Sequence, residues 1–285
     1  MSLTIAQRAK EHIIVVAHRG VSGGNIPCNT IVAYETALKQ GADMIEIDLD
    51  MTVDGKLVIF HPQMEVPHLG YHGRITELPF EKVKELRYVN FDQAPTQFGI
   101  ETFDDVLEQF KGRCLINVDK FWGHPAEIYK AIQRHGMTEQ MLVKSAPSEA
   151  VYDVLEELAP DIAFMPVINQ PLDEKFLGRR INYVGAEVLF EHDDSPVATR
   201  EFIDAMHRDG KFVWVNSIIY YYKRQLSGGH SDDTALTSDM DLGWGYLADH
   251  GFDIIQTDWP GMLIDYLKKT NRYFRESLNI LPSAN

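Results

Sequence analysis

MIEIDLDMTVDGKLVIFHP, residues 44–62, reads as two extended runs joined through Val53-Asp54-Gly55-Lys56. Asp-Gly between alternating apolar residues is a strong short-range hairpin signal, because tight turns need backbone angles that these two residues tolerate. With Asp54 and Gly55 as the two loop residues, His61 pairs with Asp48 and points to the same face. Glu46, two positions before Asp48, shares that face. Such a hairpin projects Glu46, Asp48 and His61 into one small volume. Carboxylates and an imidazole packed together repel or titrate unless a cation or ligand uses them, so the stretch reads as a metal and catalytic site. An edge hairpin showing its polar face to water is the competing reading.

Working outward, residues 13–17 (IIVVA) form a short apolar run suited to a strand buried on both faces, and it ends in His18-Arg19-Gly20. A helix is expected over about residues 30–40, with Asn29 as N-cap and Gly41 as stop. Residues 63–100 read as an irregular excursion with a short helix near 79–88, long enough to cover a site. Thr102 followed by Asp105 resembles a capping box and starts a helix ending at Gly112. LINVD (115–119) is the next strand.

The alternation then recurs, with Pro125, Pro147, Pro171 and Pro196 opening helices and Gly136, Gly178 and Gly210 closing three of them. The intervening strands are MLVKS (141–145), IAFMPVI (162–168), INYVGAEV (181–188) and KFVWVN (211–216). A tyrosine-rich loop bearing Lys223 and Arg224 follows, then a helix near 241–250, a strand FDIIQTD (252–258) and a closing helix over about 261–278.

Counting the first arm of the hairpin but not its return, eight strands alternate with helices, the (β/α)8 count. The expected fold is an α/β TIM barrel, one domain over residues 1–285, with an extra hairpin strand at the catalytic mouth. An open doubly wound sheet competes, since periodicity does not register barrel closure. In a barrel, reactive groups gather at the C-terminal strand ends. Those ends carry His18 and Arg19, Glu46 and Asp48, Asp119 and Lys120, Lys144, Glu187, Asn216, and Thr257 and Asp258.

Composition narrows the function classes. A net charge of -15 with no basic block argues against a nucleic-acid or anionic-membrane partner, so any phosphate must be met locally by a few Lys or Arg residues or by a metal. Cys28 and Cys114 are too few for a disulfide framework, and Cys28 lacks an assigned base that would make it a nucleophile. The N-terminus lacks a signal-peptide pattern and no apolar run is long enough to span a bilayer. The chain as given is therefore expected to be cytoplasmic without stable membrane insertion. Its oligomeric state is left open.

Six ordered stretches resemble the glycerophosphodiester phosphodiesterase family, within the wider phospholipase-C-like barrels. They are His18-Arg19-Gly20, Pro27-Cys28-Asn29-Thr30, Glu46-Ile47-Asp48, VIFHP at 58–62, FVWVN at 212–216 and IIQTDWP at 254–260. The resemblance implies hydrolysis of a small-molecule glycerophosphodiester to glycerol 3-phosphate and an alcohol. It further implies one divalent cation, Mg²⁺ or Ca²⁺, on Glu46, Asp48 and Asp119, with His18 and His61 as acid and base. Hard oxygen ligands without an accompanying Cys and His set suit those ions.

Substrate contacts are expected from Arg19, Lys120, Lys144 and Trp214, the last as a wall of the mouth. Where the family carries P-E-N-T, this chain has Cys28 in place of the glutamate; Asp119-Lys120 stands where the family has an E-x-K pattern, and Pro62 follows His61 where an Asp is common. Lys120 serves only if the strand has ended before it, since a one-residue shift on a strand reverses the side chain. Carboxylates near His61 favour imidazolium and Arg19 beside His18 favours neutral imidazole, which makes His61 the expected acid and His18 the base. The competing functional readings are a catalytically weak or silent barrel binding a phosphodiester or sugar phosphate, a lysophospholipase D, and a sugar phosphodiesterase.

Overall fold

Nine strands form among residues 4–274, the part of the chain that the computed structural model describes, residues 174 and 175 being described for their backbone alone. They are β1 (Ile14–Ala17), β2 (Met44–Met51), β3 (Leu57–Ile59), β4 (Leu115–Asp119), β5 (Met141–Ser145), β6 (Ala163–Ile168), β7 (Gly185–Val188), β8 (Phe212–Asn216) and β9 (Ile254–Thr257). All but β3 run parallel in the order β1-β9-β8-β7-β6-β5-β4-β2, and pairing of β1 with β2 closes the ring. The expected TIM barrel is present, and closure excludes the open sheet. β3 lies antiparallel on β2, outside the barrel.

Strand alternation sorts side chains into two layers. Ile14, Val16, Met44, Leu115, Leu142, Met165, Trp214 and Ile254 fill the lumen together with Ile5 and Ala9. The last two belong to α1 (Ile5–Glu11), a helix absent from the sequence-based expectation, which plugs the N-terminal end of the barrel. Thr4 and Gln7 close a capping box that starts it. Outward-facing strand residues such as Ile45, Ile47, Val118 and Val143 pack under the helical ring.

That ring follows as α2 (Ile31–Lys39), α3 (Glu65–Leu69), α4 (Phe80–Val83), α5 (Phe103–Phe110), α6 (Pro125–His135), α7 (Glu149–Leu158), α8 (Glu174–Leu177), α9 (Arg200–Arg208), α10 (Asp232–Thr237), α11 (Tyr246–His250) and α12 (Pro260–Lys269). The Thr102–Asp105 capping box opens α5, and Pro125 opens α6. The part of the expected closing helix beyond residue 274 lies outside the described residues. No described helix is long and apolar enough to cross a membrane.

Two local expectations are corrected. Thr30, not Asn29, caps α2, its hydroxyl accepting the Ala33 amide at 3.3 Å, while Asn29 adopts φ +55°. In the hairpin, Leu49 pairs with Ile59 and Met51 with Leu57, so the loop contains Val53, Asp54 and Gly55 rather than two residues. Gly55, at φ +80°, takes the left-handed position such a loop requires. The Asp54 carboxylate accepts the Thr52 hydroxyl at 2.6 Å and the Phe80 amide at 3.0 Å, which holds the longer turn in place. Phe60, whose amide donates to Asp48 O at 3.1 Å, therefore stands where His61 was expected, and His61 lies past the end of β3.

The excursion at 63–100 is not featureless. Val58, Phe60, Leu69, Ile75, Val83, Tyr88 and Ile100 form a small core of their own beneath it. Tyr88 donates to the carbonyls of Ile59 (3.3 Å) and Asn29 (3.5 Å), bracing the rim next to the mouth.

Candidate active site

Parallel register places Glu46 beside Asn117 and Asp48 beside Asp119, so the β2 alternation and the end of β4 bring three carboxylates into the top of the lumen. One oxygen each from Glu46, Asp48 and Asp119 lies within 4.8 Å of the others. Glu46 and Asp48 are buried and Asp119 is partly exposed. Asp48 Oδ1 is buried without a hydrogen-bond partner among the described residues. An orphaned carboxylate oxygen inside an all-oxygen cluster is what a hard cation uses, and the residues present fit Mg²⁺ or Ca²⁺.

The cluster is held by the two loops flanking it. Arg19, at φ +56°, turns back so that its amide donates to Glu46 Oε2 at 2.9 Å and its Nε ion-pairs with Asp48 Oδ2 at 2.8 Å. That bend relies on Gly20, at φ +78°, where a Cβ would stand 2.7 Å from the Ala33 carbonyl carbon. Asn29 donates its amide to Asp48 Oδ2 at 2.8 Å and accepts from Tyr34 OH at 2.9 Å, which fixes which end of the carboxamide faces the site. Burial works to raise the Asp48 pKa, but Arg19, Lys120, His61 and the Asn29 hydrogen bond together hold it below the ordinary value. Glu46 goes the other way. Burial, then the adjacent Asp48, push it up to about 7, with His18 and Arg19 opposing.

β4 ends at Asp119, and Lys120 takes φ +61°, so its side chain turns back to Asp119 Oδ2 and stands 3.6 Å from Asp48 Oδ1. The condition on Lys120 is thus met by a left-handed bend. Lys144 pairs with Glu187 Oε2 at 2.5 Å and lies 3.9 Å over the Trp214 ring. Trp214 is fully buried and donates to Asn216 Oδ1 at 3.0 Å, so the expected wall of the mouth is instead part of its packed floor.

Both histidines reach the mouth. His18 Nδ1 lies 2.8 Å from Asp258 Oδ1, while its Nε2 is buried and without a hydrogen-bond partner among the described residues. His61 Nδ1 donates to Pro62 O at 2.8 Å, since a carbonyl only accepts, so in the neutral ring Nε2 carries the lone pair. The expected preference of His61 for imidazolium is not found. Burial, with Arg19 and Lys120, outweighs Asp48 and holds its pKa below the ordinary histidine value. Cys28, half-buried beside Arg19, has its thiol pushed up to about 11 chiefly by burial, which leaves it protonated and unsuited to nucleophilic attack.

Against known sequences, the model of the glycerophosphoryl diester phosphodiesterase family matches residues 18–215, a span containing both histidines, Arg19 and the three carboxylates. The chain belongs to that family. A second model, described as a domain of unknown function, matches residues 164–267. A protein named glycerophosphodiester phosphodiesterase from Caldanaerobacter subterraneus subsp. tengcongensis is 29% identical over 157 residues, 52% of this chain. The match spans 64% of that relative's length. Among solved structures, a glycerophosphoryl diester phosphodiesterase from Parabacteroides distasonis superposes with a TM-score of 0.75 at 16% identity, covering 94% of this chain and 92% of that one. An Oleispira antarctica phosphodiesterase in complex with the product sn-glycerol-3-phosphate gives 0.65 at 20% identity, covering 89% and 96%. Both share the fold.

Within this family's barrel, sequence reasoning missed the roles of Asn29 and Asp258 and did not tie Tyr220 to His18. Asn29 reads as a helix cap from its position before residues 30–40, although it sits inside the P-x-N-T stretch. Asp258 was visible as a charged strand end, but its partner is 240 residues away. Tyr220, whose ring meets His18 edge-on at 5.7 Å, lies in a loop with no periodic signal.

Proposed function

We propose that the protein hydrolyses a small-molecule glycerophosphodiester to glycerol 3-phosphate and an alcohol, using one divalent cation, Mg²⁺ or Ca²⁺. The observation that carries this is the convergence of Glu46, Asp48 and Asp119 within 4.8 Å, flanked by a guanidinium and two histidines. Those carboxylates would hold the cation, which supplies charge stabilisation to the phosphoryl oxygens when bound.

The chain's own groups divide the remaining work. Arg19 has only its Nε engaged by Asp48, so among the described residues its terminal N–H groups are free to donate to a non-bridging phosphate oxygen. His18 Nε2 takes the proton of the attacking water as its oxygen bonds to phosphorus, and Asp258 at Nδ1 steadies the imidazolium that results. In its imidazolium form His61 gives the Nε2 proton to the departing alcohol oxygen as the P–O bond breaks, returning to the neutral ring; a depressed pKa makes that form the stronger acid. Lys120 offsets the charge of Asp119 and Asp48. Equilibrium dialysis tests the cation site. Wild-type protein should take up Mg²⁺ or Ca²⁺ and Glu46→Gln should take up far less, whereas equal and negligible uptake by both contradicts the assignment.

A further inference from the structure

The segment after β8 leaves the barrel at Ser217 and returns at Asp232, the first residue of α10. Asp232 is buried, and its carboxylate collects donors from three parts of the mouth. Oδ1 accepts Ser217 Oγ at 2.6 Å, Trp244 Nε1 at 2.7 Å and Thr257 Oγ1 at 2.8 Å, and Oδ2 accepts the Asp258 amide at 2.9 Å. Its own amide donates to Ser217 O at 2.6 Å, tying the neck of the loop that carries Tyr220. Four donors aimed at one side chain require an acceptor-only group, which an ionised carboxylate is and a carboxamide is not.

Two of those donors belong to Thr257 and Asp258, the dipeptide that holds His18. The His18 amide donates to Thr257 O at 3.1 Å and its Nδ1 meets Asp258 Oδ1 at 2.8 Å. The Asp258 side chain is 51% exposed, so packing does not fix it; its backbone is what is anchored, and the anchor is Asp232. We propose that Asp232 is a positioning residue for the reaction, setting the Asp258 backbone so that the Asp258 carboxylate fixes the tautomer and direction of the His18 ring. This rests on the hydrolytic role given to His18 above. An ion pair is not the means, since among the described residues the partners of Asp232 are hydroxyl, indole and amide donors.

The test is a double-mutant cycle on the full chain loaded with Mg²⁺ or Ca²⁺, with an aryl phosphodiester as probe. Asp232→Asn should lower kcat by about tenfold or more and leave KM within about twofold, as expected of a group acting only on the reacting constellation. In an Asp258→Asn background the same change should have little further effect, because the path it acts through is already cut. The hydrogen-bonded Nδ1 proton of His18, followed by NMR, should be present in wild type and lost in Asp232→Asn. Should that variant not accumulate folded, Ser217→Ala removes one donor to Asp232 Oδ1 and is expected to move the same readouts less. Additive losses in the two backgrounds, an unchanged kcat, or a fallen kcat with the Nδ1 resonance intact would each overturn the proposal. A wild type inactive with every cation would instead defeat the hydrolase reading, and the Nδ1 resonance would still report whether Asp232 positions His18.

Discussion

His18 and Asp258, 240 residues apart, meet with Nδ1 2.8 Å from Oδ1 because β1 and β9 are neighbours in the closed barrel and Ala17 is in register with Thr257. The contact leaves Nε2 of His18 as the atom that faces the site. Asp258→Asn keeps the shape but offers an amide that either donates or accepts at Nδ1, so the ring is no longer held in one tautomer. Its kcat should fall on the order of 10²-fold, the scale of a mispositioned general base, with the melting temperature nearly unchanged because the side chain is half-exposed. Steady-state kinetics and a thermal melt check both parts.

Arg19→Lys separates charge from geometry. A lysine keeps a positive charge beside Asp48 but has no planar fork, so it cannot place two parallel hydrogen bonds on a phosphate while also pairing with the carboxylate. A drop of about 10–100-fold in kcat/KM is expected for the loss of a charge-assisted hydrogen bond, with the protein still folded. Unchanged kinetics would remove Arg19 from the phosphate site.

The two histidines should respond differently to the leaving group. An acid matters most when the departing oxygen is a poor leaving group. His61→Ala should therefore cripple hydrolysis of an alkyl glycerophosphodiester and largely spare an aryl phosphodiester, whereas His18→Ala should impair both. Comparing the four rates checks the assignment. Sparing of the aryl substrate by loss of His18 alone would exchange the two roles.

Glu46 links cation binding to pH. Its pKa, raised from 4.5 to about 7 mainly by burial and next by Asp48, leaves it largely protonated below neutrality in the absence of a cation. A folded-state pKa raised above the unfolded value contributes stability that is present at low pH and is lost as pH climbs from about 4.5 through about 7. Bound cation favours the ionised form and reverses that loss. The thermal stabilisation given by Mg²⁺ or Ca²⁺ should accordingly be larger at pH 8 than at pH 5.5, and Glu46→Gln should abolish the difference. Melting curves at the two pH values, with and without the ion, check the sign.

Much of this site was legible because strand periodicity is strict. Glu46 and Asp48 share a face by alternation alone, and the count of buried runs between Pro and Gly punctuation identifies the eight barrel strands. What escaped depends on single-residue backbone choices or on closure. Whether Asp54-Gly55 makes a loop of two or three residues turns on side-chain bonds to Thr52 and Phe80, the latter 26 positions away. The left-handed bends at Arg19 and Lys120 occur at residue types that give no cue to them, whereas the one at Asn29 falls on a type enriched there. The His18–Asp258 partnership exists only once the first and last strands are joined, and that of Asp232 needs β8 and β9 side by side.

Release of glycerol 3-phosphate from a small panel of glycerophosphodiesters, measured with added Mg²⁺ or Ca²⁺ and again after chelation, tests the central claim most directly. The account predicts release with a cation, none after chelation, and recovery when the ion is restored. No release from any member of the panel with either ion, or release indifferent to the chelator, would contradict it.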